Sequence, residues 1–108
     1  MGLFKRKYEK NVTRDNEYLK NFAVRINGLL RFTEENEKVT AELRKLQDDF
    51  RFTVATQVRG AKKIESRIDE KYENLKNTLQ QPEWNEQEVI MMIRNIGLEL
   101  DEINSMRL

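Results

Sequence analysis

The chain has no cysteine, no histidine, one proline and four glycines in 108 residues. Without cysteine it can form neither disulfides nor thiolate metal sites. Without histidine, the Ser-His-Asp and Cys-His nucleophilic arrangements cannot be built, and the commonest general base is missing. A ferritin-like di-iron bundle needs Glu-x-x-His pairs, so it is excluded on the same ground. Gly2, Gly28, Gly60 and Gly97 lie too far apart to make a phosphate-cradling loop. No apolar run approaches the length of a membrane span. The bases near Met1 are not followed by the apolar core of a secretory signal. These absences predict a non-enzymatic, cytoplasmic protein with no cofactor, no metal and no small-molecule substrate.

What is present is a patterned, highly charged chain. Apolar residues make up 38% and charged residues 36%, below and above the usual shares respectively. That mixture fits helices with one narrow buried face and a wide solvated one. Net charge is +1, but it is unevenly spread. Residues 1–14 carry five bases against Glu9, whereas residues 80–108 carry Arg94 and Arg107 against six acids. A basic head and an acidic tail result.

The strongest pattern is a stripe through the middle. Leu43, Leu46, Phe50, Val54, Val58, Ala61, Ile64, Ile68, Tyr72, Leu75 and Leu79 recur at steps of three or four, the spacing of one helix face. The stripe predicts a continuous helix over 34–80, about 70 Å long. The β-branched cluster Thr53, Val54 and Thr56, followed by Gly60, is where it could break. A first helix is expected over 8–31, with Val12, Leu19, Phe22, Ile26, Leu29 and Leu30 inward and Gly28 as a weak point. Thr33 is the expected cap of the second helix.

Pro82 ends the central helix. Asn85 then caps a third helix over 85–106, with Glu88 at the position of a capping box. Trp84 and Val89 stand at the spacing of a hydrophobic staple, so Trp84 reads as structural. Val89, Ile90, Met92, Ile93, Ile96, Leu100 and Ile103 form a stripe, widened by Met91, Leu98 and Met106. A wide apolar arc implies burial on more than one side, or an interface.

The expected fold is therefore all-α. It is a three-helix antiparallel, coiled-coil-like bundle with a long central helix; the alternative is a four-helix bundle with a break near Gly60. Residues 1–7 form a basic N-terminal segment, expected to be flexible, and 8–108 one helical domain. The expected function is protein–protein interaction or scaffolding, with a homodimer as the first partner. Met91, Leu98, Phe32 and Phe52 are the candidate interface residues. A second reading is peripheral membrane association, with Leu3 and Phe4 at a weakly bound anionic surface and Lys5, Arg6 and Lys7 among its headgroups. A third, least favoured, is nucleic-acid binding through Arg59, Lys62, Lys63 and Arg67, whose neighbourhood is too rich in acids for a one-sided footprint. The pairs Asp48 with Asp49 and Glu65 with Asp69 read as solvated intrahelical ion-pair partners rather than catalytic carboxylates.

Overall fold

The computed structural model describes residues 16–53 and 61–105. All regular structure among them is helical: α1 over 16–27, a short 3-10 turn at Leu30–Phe32, α2 at Glu37–Phe52, α3 at Ala61–Leu79 and α4 at Glu86–Ser105. Val12, Val54, Val58, Gly60, Met106 and the side chain of Ala61 lie outside the described residues.

The four helices pack against each other as two hairpins laid side by side. Within the first, α1 and α2 run antiparallel: the Gln47 side-chain amide donates to the Ala23 carbonyl at 3.0 Å, and Phe22 stacks on Phe50. In the second, α3 and α4 run antiparallel, with Arg67 and Lys71 reaching Glu99. Between the hairpins α1 lies along α3. The Tyr18 hydroxyl donates to Asp69, and that of Tyr72 to the Arg25 carbonyl. Similarly α2 lies along α4, with Arg94 on Glu42. Although α2 and α3 are consecutive, they scarcely touch.

This corrects the expected continuous helix over 34–80. Thr53 is extended (φ −77°, ψ 129°), and its hydroxyl donates to the Asp49 carbonyl. That contact satisfies a carbonyl of the last turn while the β-branched backbone leaves the helix. Phe50 and Tyr72 would stand about 33 Å apart on one straight helix. Instead both rings meet Phe22, with centroids 4.3 Å and 5.5 Å away. The chain folds back between Phe52 and Ala61, and the four helices fit the alternative arrangement.

Two boundaries also shift. The first helix stops at residue 27 rather than 31. The Gly28 and Leu29 amides donate to carbonyls three residues back, Arg25 and Ile26, a tightening common at helix ends. A Cβ at Gly28 would lie only 3.3 Å from the Arg25 carbonyl oxygen, so glycine suits this turn. The second helix starts at Glu37, capped by Asn36, whose Oδ1 accepts from the Val39 amide at 3.0 Å. Thr33 is buried instead, and its carbonyl accepts from the Thr40 hydroxyl at 2.6 Å. At the third boundary Asn85 does cap α4, accepting from the Glu88 amide. Trp84 is partly buried against the core.

The core is a continuous apolar cluster drawn from all four helices. Phe22, Phe50, Val39, Leu43, Ile68, Leu75, Val89 and Ile96 have no exposed surface. Phe22→Ala removes the ring on which α1, α2 and α3 converge. It should cost about 3–5 kcal/mol, whereas Asn85→Ala should cost about 1 kcal/mol. Urea denaturation measures both, with Val24→Ala, at an exposed α1 position, expected to be near neutral.

Candidate interaction surface

Among the described residues four large apolar side chains stand well out of the fold: Val24, Phe52, Met91 and Leu98. Met91 and Leu98 are seven residues apart on α4, so they share one face. That face points directly away from the side carrying Val89, Ile93, Ile96 and Leu100, all buried. The pair is 64% and 62% exposed. Leu98 also edges a shallow groove of about 430 Å³ between α2 and α4. Leu46, Ile93 and Gly97 line this groove, with Glu42, Lys45, Asp49, Arg94 and Asp101 as its charged part. Its floor is close-packed: a Cβ on Gly97 would sit 3.7 Å from Leu46.

The four residues singled out from the sequence do not form one patch. Phe52 closes α2 and is 74% exposed. Phe32 precedes α2, at the other end of that helix. It is half-buried against the core, with the Arg31 guanidinium 4.7 Å over its ring. There it lines a corner groove of about 680 Å³ shared with Trp84. Val24 was missed because it falls off the α1 stripe; an apolar residue on the polar side of a helix was the available signal.

The charged groups are used mainly to tie helices together. Glu99, on α4, has a side chain only 11% exposed, and it accepts from both Lys71 (2.8 Å) and Arg67 (3.0 Å) of α3. Arg67 also donates to Glu102 at 2.7 Å. On α3, Asp69 takes Arg25 of α1 at 2.8 Å together with the Tyr18 hydroxyl. This corrects the intrahelical reading of Asp69, Arg67 and Lys71: their partners lie on neighbouring helices. Asp48 does pair along its own helix, 3.9 Å from Arg51. The Arg25 guanidinium also lies 4.3 Å over the Tyr72 ring, a cation–π contact that adds to the ion pair.

These contacts shift protonation. The hydrogen bond from Lys71, reinforced by Arg67, holds the Glu99 carboxyl below its ordinary value against the opposing effect of burial. The hydrogen bond from Arg94 does the same for Glu42. Burial first, and then the hydrogen bond to Asp69, pushes the Tyr18 phenol up, so it stays neutral.

Of the basic cluster considered for phosphate contact, Lys62 and Lys63 are exposed on α3. Arg67 is turned onto the α4 carboxylates, so it could reach a phosphate only by leaving them. Arg59 lies outside the described residues, as do Leu3, Phe4, Lys5, Arg6 and Lys7. Among the described residues no cluster of carboxylates could hold a metal ion, and no helix is long and apolar enough to cross a membrane. No protein family, curated protein or solved structure matches the chain.

Glu99 and Glu42 titrate below their unfolded value of about 4.3. The stability they contribute is therefore complete above that value and is lost as pH falls through their lowered folded values. Urea denaturation should give level stability between about pH 7 and about pH 5, then a decline below about pH 4. Glu99→Gln should be less stable at neutral pH and show a shallower acid decline. Identical acid limbs for the two proteins would contradict the role given to Glu99.

Proposed function

We propose that the protein is a non-enzymatic helical interaction module that associates with a second copy of itself through the outer face of α4. The observation that carries this reading is the outward pair Met91 and Leu98 on a helix whose opposite face is wholly buried. The pair is self-complementary. A two-fold axis passing between Arg94 and Asn95 sets Met91 of one copy against Leu98 of the other, and the reverse, as an isologous contact requires. The helices then meet antiparallel, in a coiled-coil-like pair. Two side chains per copy fall far below the area of a standard stable interface, so this contact is weak and reversible.

The non-enzymatic part of the reading rests on residue types. The chain offers neither histidine nor cysteine. Among the described residues the buried carboxylate is Glu99, and it is committed to two cations of α3. The absence of cysteine agrees with a cytoplasmic setting.

Light scattering over a roughly hundredfold range of concentration tests the reading, since association follows mass action. The average mass should rise from monomer towards dimer. The double variant Met91→Glu, Leu98→Glu, folded in dilute solution and never refolded at high concentration, should remain monomeric with unchanged helix content, because both side chains are already largely in water. A monomer at every concentration, or a variant that associates like the parent, would overturn the proposal.

A further inference from the structure

The seam between the two hairpins can be made by two chains as well as by one. Every contact across it joins the first hairpin (α1, α2) to the second (α3, α4): Phe22 against Tyr72, Arg25 and Tyr18 on Asp69, Arg94 on Glu42, and Leu46 beside Gly97. Only the eight residues between Phe52 and Ala61 connect the two units. Across those residues the apolar stripe keeps its helical phase. Phe50, Val54, Val58, Ala61, Ile64 and Ile68 follow at steps of four, four, three, three and four. A chain selected only to turn back there has no need of that phase. The one proline is Pro82, so no residue on the connection lacks the amide that a continuous helix needs.

We propose that the hairpins exchange between two copies of this chain. In the exchanged form α2 and α3 join into the single helix that the stripe predicts, about 65 Å from Glu37 to Leu79. The first hairpin of each copy packs on the second hairpin of the other. Both ends of the dimer then repeat the four-helix packing of the closed chain, with every contact across the seam reformed in trans. No new interface has to be evolved. This interface is the whole apolar seam of the bundle. It is therefore independent of Met91 and Leu98 and goes beyond the weak contact proposed above.

The distance between α2 and α3 within one chain separates the two forms. Lys38 and Asn77 are both exposed, and they lie near the end of the bundle where Phe32 and Trp84 share a groove. In the closed chain spin labels there should be less than about 30 Å apart, given helix spacings of 8–10 Å. In the exchanged chain, 39 residues of helix set them about 58 Å apart. The Lys38→Cys, Asn77→Cys protein is labelled and refolded at high concentration with an excess of unlabelled chain, so that each distance lies within one molecule. Dimer and monomer are then separated by size and each is measured by pulsed dipolar spectroscopy.

The expected result is a short distance in the monomer and the long one in the dimer, retained when Met91→Glu and Leu98→Glu are added. A dimer with only the short distance overturns exchange while leaving the α4 contact standing. Loss of the dimer on adding the two glutamates also overturns it. So does a chain that yields no dimer even after refolding at high concentration.

Discussion

Phe22 sets the architecture. Its fully buried ring lies against Phe50 of α2 and Tyr72 of α3. No single helix can bring positions 50 and 72 to one point. Within one molecule the stack therefore requires the chain to fold back between Phe52 and Ala61. The remaining packing follows from that turn. Once α2 and α3 both flank α1, a trough remains between them, and the buried side of α4 fills it with Val89, Ile93, Ile96 and Leu100. The outer side of α4 is left in water, carrying Met91 and Leu98.

Charge supplies register where the apolar core supplies cohesion. A Leu- and Ile-rich seam tolerates sliding by a turn, because the same side chains recur. Ion pairs on opposite sides of the bundle do not. Arg25 on Asp69 fixes α1 along α3, Arg94 on Glu42 fixes α2 along α4, and the shared carboxylate of Glu99 fixes α3 against α4. Most of these groups are partly exposed, so each pair contributes little stability. Their value lies in selecting one alignment among several of similar hydrophobic energy.

The buried faces were legible in the sequence because they depend on local periodicity. Leu19, Phe22, Ile26, Leu43, Leu46, Phe50, Ile64, Ile68, Tyr72, Leu75 and, apart from the partly buried Met92, the α4 stripe are inside as their spacing predicts. So was the cap at Asn85, a local hydrogen bond. The fold-back was not legible as the leading arrangement. The stripe runs on in helical phase past Thr53 and so predicts a continuous helix, and only the ring contacts of Phe22 show the turn back. The cap expected at Thr33 falls instead on Asn36, because Thr33 is buried and bonded to Thr40. The partners of Arg67 and Asp69 were misread for the same reason. Spacing along one helix is visible in a sequence, and proximity to a neighbouring helix is not. For the candidate surface, Met91, Leu98 and Phe52 were legible as apolar residues off the stripe, whereas nothing in the sequence showed that Phe32 would be half-buried beside Trp84.

Phe22, Phe50 and Tyr72 meet at one buried crossing, and Met91 and Leu98 stay exposed on the outer side of α4. That account stands on the crossing being made within one molecule at low concentration. Nuclear Overhauser contacts from the Phe22 ring test it most directly, measured in dilute protein and in a mixture of isotope-labelled and unlabelled chains. The account predicts contacts from Phe22 to both Phe50 and Tyr72, with none crossing between labelled and unlabelled molecules. Contacts to Phe50 without Tyr72 would mean that the chain does not fold back, and would contradict it.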